Sequence, residues 1–169
     1  GVAARGGPLW LTPEDAPPRG RRATVEDLGG DEAWPYANQL SQHPPLYYEV
    51  AARVVEAGRL VLGQDQPLDR DRMVLRLFSV VLVAPLPLLA WAAAHRLGLR
   101  RAAAIGAAAF PLAVPQLSHI GSAIGNDSLL VLFGGLLSVV VAGVVRGDTR
   151  TRTAVVAGVV TGLALWTKA

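Results

Sequence analysis

The stretch LFSVVLVAPLPLLAWAAA at residues 77–94 decides the fold, because its eighteen residues carry no formal charge. Three more uncharged stretches follow at 102–126, 128–145 and 153–167. An α-helix rises about 1.5 Å per residue, so eighteen residues span roughly 27 Å, close to the hydrocarbon core of a bilayer. The pattern predicts an all-α integral membrane protein with four transmembrane helices.

Composition divides the chain just before the first of these stretches. Residues 1–72 contain eight arginines and eleven carboxylates, whereas residues 73–169 contain only two carboxylates. Gly, Pro and charged residues dominate 1–43 without helical periodicity, which predicts an irregular loop. We therefore expect this loop, a polar region at 44–72 and a transmembrane region at 73–169. Its spans are predicted at about 77–94, 102–118, 128–145 and 153–169.

Several classes of site are excluded or disfavoured by composition. The sequence pI near 9.9 does not indicate nucleic-acid binding, because most of the excess basic charge lies at the edges of the predicted spans. The chain has no cysteine, which excludes disulfides, thiol nucleophiles and Cys-based metal sites. His43, His95 and His119 lack metal-ligand spacing, so no metal site is predicted. We interpret His119 as a hydrogen-bonded histidine at the membrane interface.

Arginine placement predicts the orientation in a cell membrane. The loops at 95–101 and 146–152 carry three arginines each, whereas the connection at 116–127 carries no Lys or Arg. The positive-inside rule places both arginine loops in the cytoplasm and the connection outside. Residues 1–72 and Lys168 are then extracytoplasmic.

We expect the chain to be a piece of a larger polytopic protein. It begins at Gly1 without an initiator methionine and ends at Ala169, directly after a predicted span. At least one further helix upstream and several downstream are expected.

An amphipathic helix is predicted immediately before the first span. Two prolines open it, and apolar residues recur at helical spacing between 46 and 62. Glu49 and Arg53 on the opposite face are spaced as an i,i+4 ion pair. Such a helix is too charged to span and suits the membrane surface, although a helix packed on a soluble domain fits the same pattern. A charged collar at 65–72 follows it.

Prolines within the predicted spans indicate kinks or broken helix ends. Proline is tolerated there where neighbouring groups satisfy the freed carbonyls. The positions concerned are Pro85, Pro87, Pro111 and Pro115.

Four segments together resemble the polytopic glycosyltransferases of the GT-C superfamily. The segment QHPPLYY at 42–48 precedes the amphipathic helix, and RLFS at 76–79 opens a span. Asn-Asp begins another span at 126–127, and GLALWTK closes one at 162–168. The branches that these segments resemble most are the protein-mannosyltransferase-like group and a related bacterial membrane family of unassigned function. The resemblance covers roughly residues 38–169.

The resemblance implies sugar transfer from a polyprenyl-phosphate donor to an acceptor on the outer face of the membrane. A carboxylate of the first outer loop then acts as general base, and a cation stabilises the leaving phosphate. Membrane lipid and the lipid-linked sugar are the expected partners. Nucleic acid is not expected, and the oligomeric state and the cofactor stay open, a divalent cation included.

The candidate catalytic residues are three carboxylates. Asp31 and Glu32 lie in the predicted outer loop, where a solvated charge pair is the alternative. Asp127 lies at the outer start of a span, where helix N-capping is the alternative.

The candidate substrate-binding residues are His43, Tyr47, Arg76, Asn126 and Lys168. His43 precedes the two prolines and could instead orient the turn. Arg76 lies one turn inside the charged collar, where it either snorkels to the interface or reaches an anionic ligand. Lys168 resembles the family lysine that meets the lipid phosphate, and an interfacial anchor is its alternative.

A non-enzymatic transporter segment or structural subunit is the rival hypothesis, and an inactive relative is a third. Transporters commonly carry charged or broken segments near mid-membrane. Here the polar candidates gather at the predicted outer edge, which favours surface chemistry over translocation.

Overall fold

The computed structural model describes residues 44–63 and 67–168, together with Pro18. All regular secondary structure in these ranges is helical, which confirms the predicted all-α fold. The helices are α1 (Leu46–Leu62), α2 (Leu68–Val83), α3 (Leu86–Arg96), α4 (Arg101–Ala109), a 3-10 helix (Phe110–Ala113), α5 (Pro115–Ser122), α6 (Asp127–Val145) and α7 (Thr151–Thr167).

The helix predicted after the double proline is confirmed as α1, which begins directly after Pro45. The predicted pairing of Glu49 with Arg53 is wrong, since Arg53 Nη1 lies 2.9 Å from Glu56 Oε2. Residues three and four positions apart are both neighbours on a helix surface. An exposed arginine can therefore take either partner, and the sequence spacing does not decide between them.

Helices α1 and α2 form an antiparallel pair. Near the start of α1, the ring of Tyr47 stacks on Phe78 in the second half of α2, with ring centroids 6.2 Å apart. Near the end of α1, Arg59 Nη2 lies 2.6 Å from Asp71 Oδ2 at the start of α2. The buried core of this region consists of Tyr47, Ala51, Leu82 and Leu129. The position of α1 relative to the membrane surface stays a prediction.

Two helical stretches of the described chain are long and apolar enough to cross a membrane. They are Leu68–Arg96, which joins α2 and α3 over 29 residues, and Asp127–Val145, which has 19. Arg101–Ala113 and Pro115–Ser122 form a third if their bent pair is one span. Helix α7 is a shorter apolar helix of 17 residues, so the fourth span stays a prediction.

The helix breaks lie where the prolines predict them. Pro85 lies in the turn between α2 and α3, and Pro87 lies in the first turn of α3. Pro111 lies in the 3-10 helix, and Pro115 begins α5 after a bend of 58°. Proline lacks an N–H and clashes with the preceding turn, so a helix ends or bends where it occurs.

Helix α6 runs antiparallel to α2 and α3, and α7 returns along α6. At mid-height, a Cβ on Gly135 would lie 2.9 Å from Leu89 Cδ1 and 3.0 Å from Leu86 Cδ2, so the glycine allows close contact with α3. Farther along, Arg96 Nη1 donates to the Val139 carbonyl at 3.3 Å. The bundle thus has two ends. We name the end with the start of α6 the Lys168 end, and the end with the start of α7 the arginine end.

Candidate functional site

Three of the predicted site residues come together at the Lys168 end. The Lys168 Nζ atom lies 2.6 Å from Asp127 Oδ1. Next to this ion pair, Asn126 Nδ2 donates to the Thr167 carbonyl at 3.4 Å. Each contact joins the start of α6 to the end of α7 across 41 residues of sequence. The two chain segments are therefore held side by side by polar groups.

The ion pair is accessible to a ligand. The side chain of Lys168 is 44% exposed and that of Asp127 is 50% exposed. Both charges also agree with the helix dipoles, since Asp127 lies in the first turn of α6 and Lys168 follows the last residue of α7. An ammonium has three donors, and the contact with one carboxylate oxygen leaves others free for an anion.

The capping interpretation of Asp127 is wrong. The N-cap residue of α6 is Asn126, and its side chain makes no capping hydrogen bond. The Asn126 amide is turned toward α7, and the Asp127 carboxylate is turned toward Lys168. Contact with a neighbouring helix has taken the place of local capping.

Tyr47 lies beside Gly125, which belongs to the segment that leads into α6. Its side chain is buried, with 1% exposed, and its ring also meets Tyr48 edge-on at a centroid distance of 5.5 Å. Burial raises the pKa of the Tyr47 phenol, and the neighbouring Ser79 hydroxyl and Gly125 backbone partly offset that shift. The hydroxyl oxygen is buried and lacks hydrogen-bond geometry with any residue that the structure describes. Tyr47 thus lies beside Gly125, which precedes Asn126 in the chain.

Arg76 lies on an exposed face of α2. One turn later, the buried Ser79 donates to the Leu75 carbonyl at 3.2 Å and adjoins Tyr47. Within the described ranges, Arg76 forms no ion pair, and it is not part of the Asp127–Lys168 contact. The choice between a snorkelling arginine and an anion-binding arginine stays open.

The remaining candidates are separate from this cluster. Asp31, Glu32 and His43 lie outside the described residues. His119 is exposed in α5, and its backbone carbonyl accepts a hydrogen bond from Ser122 Oγ at 2.9 Å. No group of three or more His, Asp or Glu residues is placed to hold a metal ion in the part of the chain that the structure describes.

Two residues at this site escaped sequence analysis. Thr167 is fully buried, and its Oγ1 donates to the Leu163 carbonyl at 2.8 Å while its own carbonyl accepts from Asn126. Ser128 is also buried and donates to the Gly125 carbonyl at 2.9 Å. Their position beside Lys168 and Asp127 was the available signal, but small hydroxyl residues inside apolar stretches are common in membrane helices.

One known protein family matches the part of the chain that contains this cluster. Residues 59–169 match the model of the dolichyl-phosphate-mannose-protein mannosyltransferase family. The matched range contains Arg76, Asn126, Asp127 and Lys168, whereas Tyr47 precedes it. No curated protein and no solved structure gives a significant match. The match covers more than half of the chain and confirms the resemblance to GT-C glycosyltransferases, so the chain belongs to the dolichyl-phosphate-mannose-protein mannosyltransferase family.

Proposed function

We propose that the protein transfers a sugar from a polyprenyl-phosphate donor to an acceptor hydroxyl on the extracytoplasmic face of the membrane. The contact between Lys168 and Asp127 is the main support. It joins a cation suited to a phosphate with a candidate catalytic carboxylate, 2.6 Å apart, within the range matched by the family.

The proposed reaction is a single displacement at the anomeric carbon. The acceptor oxygen forms a bond to that carbon while the bond between the carbon and the phosphate oxygen breaks. The electron pair leaves with the phosphate, and the hydroxyl proton passes to a carboxylate. Asp127 is the candidate carboxylate in the described chain, and Asp31 and Glu32 are candidates outside it.

Lys168 is assigned to the phosphate in this scheme. Negative charge grows on the leaving phosphate as the bond breaks, and an ammonium held in place stabilises it. The Asp127 oxygen fixes the direction of Lys168 but occupies only part of its donor capacity. Asn126 keeps the two chain segments together through the Thr167 carbonyl.

The test is sugar transfer by the full-length protein in membranes supplied with polyprenyl-phosphate sugars. We expect Lys168→Ala to lower the transfer rate about 100-fold, as for removal of one charge-stabilising donor, and Lys168→Arg to lower it less. Arg100→Ala at the arginine end is the matched control, with unchanged transfer expected. Wild-type rates in a normally inserted Lys168→Ala protein would contradict the assignment. Absence of transfer with every donor would favour a non-enzymatic membrane protein.

A further inference from the structure

A groove opens at the arginine end, far from the proposed transfer site. It has a volume of about 400 Å³ and lies between α3, α6 and α7. Its walls are apolar, and each of the three helices contributes to them, for example with Leu89, Leu136 and Val156. The mouth of the same groove is strongly polar.

The mouth carries an excess of positive charge. Three arginines line it, Arg96, Arg150 and Arg152, and Asp148 is the one carboxylate among the lining residues. Asp148 is engaged by Arg150, whose Nε and Nη2 donate to its two oxygens at 2.9 Å and 3.3 Å. The charges of Arg96 and Arg152 are therefore not balanced by this carboxylate.

The two remaining arginines keep donors for an anion. Arg96 uses Nη1 for the Val139 carbonyl at 3.3 Å, and a guanidinium has five N–H donors. A Cβ on Gly143 would lie 3.5 Å from Arg96 Nη1 and 3.8 Å from Asp148 Oδ2, so both charged groups lie beside this glycine. Arg152 forms no ion pair with any residue of the described ranges.

We propose that this groove binds an anionic phospholipid. Arg96 and Arg152 hold its phosphate at the mouth, and one acyl chain lies along the apolar walls beside Val156. Guanidinium groups suit phosphate oxygens in charge and geometry, and basic pockets between membrane helices suit anionic head groups. This site is independent of the proposed transfer reaction and would differ from the donor site in place and ligand.

The apolar walls and the basic mouth of the groove together favour an anionic phospholipid over other ligands. A free phosphate would use the arginines and leave the apolar walls exposed to water. A further helix of the protein would cover the walls and leave the two arginines without an anion. An anionic phospholipid matches both parts, since a single molecule carries a charged phosphate and a long apolar chain.

Native mass spectrometry of the detergent-purified protein tests the proposal. The protein is incubated with phosphatidylglycerol or phosphatidylcholine, and the retained lipid is counted. We expect preferential retention of phosphatidylglycerol, reduced about fivefold by Arg96→Gln and about fivefold by Arg152→Gln. Val156→Trp, which fills the groove, should lower retention without changing the charge. Arg100→Gln, at the same end but outside the groove lining, should retain wild-type binding.

Five outcomes would overturn the proposal. Equal retention of the two lipids would show that charge does not select the ligand, and equal loss in Arg100→Gln would show only general attraction. Complete displacement by inorganic phosphate would show a simple anion site without an acyl chain. Unchanged binding in Val156→Trp would place the lipid elsewhere. A wild-type protein that retains no lipid, with residue 156 cross-linking to another segment, would show a groove covered by protein.

Discussion

The two ends of the bundle carry charge in different arrangements. At the Lys168 end, Lys168 and Asp127 join two helices across 41 residues of sequence. At the arginine end, the ion pair found in the described chain joins Asp148 and Arg150, only two residues apart in one loop. The ion pair therefore links two helices at the first end, whereas at the second end it stays within one loop. The difference suits a structured site at one end and lipid contact at the other.

The largest effect is expected for the partly buried pair that closes α1 onto α2. Arg59 and Asp71 have side chains 26% and 10% exposed, so removal of the carboxylate leaves a poorly solvated arginine. We expect Asp71→Ala to lower the free energy of unfolding by about 3 kcal/mol, measured by denaturant titration in detergent.

The matched control lies on the same helix α1. Arg53 and Glu56 form a pair whose side chains are 81% and 61% exposed. Glu56→Ala should change the free energy of unfolding by less than about 0.5 kcal/mol. Equal losses in Asp71→Ala and Glu56→Ala would refute the view that the α1–α2 pair is held by a desolvated contact.

In the middle of the bundle, we expect close packing, and not charge, to hold α3 against α6. A leucine at Gly135 would collide with Leu86 and Leu89 of α3, whereas a Cβ on Gly134 meets nothing within 4 Å. Gly135→Leu should lower the free energy of unfolding by about 1–3 kcal/mol, and Gly134→Leu should leave it nearly unchanged. Unfolding in mild detergent measures both. A neutral Gly135→Leu would show that α3 and α6 are not closely packed at this height.

The Asp127–Lys168 pair is expected to have a smaller effect on the free energy of unfolding. Both side chains are about half exposed, so water screens the attraction and each single charge reversal should cost about 0.2–1 kcal/mol. The exchange Asp127→Lys with Lys168→Asp should recover part of this loss, because the pair returns while the helix dipoles oppose it. Melting temperatures at low and high salt report the effect. Additive losses in the double variant would show that the two charges do not interact.

The smallest effect concerns Asp148 at the arginine end. The hydrogen bond from the Arg150 side chain lowers the pKa of the Asp148 carboxyl below its ordinary value. A lowered pKa in the folded state contributes stability above the ordinary pKa of about 3.9, and this contribution is lost as the pH falls through the folded value. Arg150→Gln should raise the Asp148 pKa in an NMR titration, and Arg152→Gln should not. Equal shifts in both variants would contradict a specific contact.

Local features of the sequence predicted the helices well. The predicted span at 128–145 corresponds to α6, Asp127–Val145, because charged residues bound the apolar run on both sides. Pro85 and Pro115 predicted breaks because the effect of proline on its own helix is local. These features depend on neighbours within a few residues, which the sequence displays directly.

The side-chain contacts between different helices could not be predicted from these local features. Hydropathy and arginine counts predict that Asp127 and Lys168 lie at one edge of the membrane, but they cannot show that the two side chains touch. The Arg59–Asp71 pair was missed because its residues lie in different helices, whose relative direction the sequence does not specify. The predicted Glu49–Arg53 pair was wrong because two partners were equally near on one helix.

The lengths of the apolar helices have a consequence for the surrounding bilayer. At about 1.5 Å per residue, the 17 residues of α7 reach about 26 Å. The charged residues of α2 lie before residue 77, so the uncharged part of α2 and α3, residues 77–94, measures only about 27 Å. Both lengths are slightly shorter than a hydrocarbon core of about 30 Å, so we expect the protein to prefer membrane regions with shorter acyl chains.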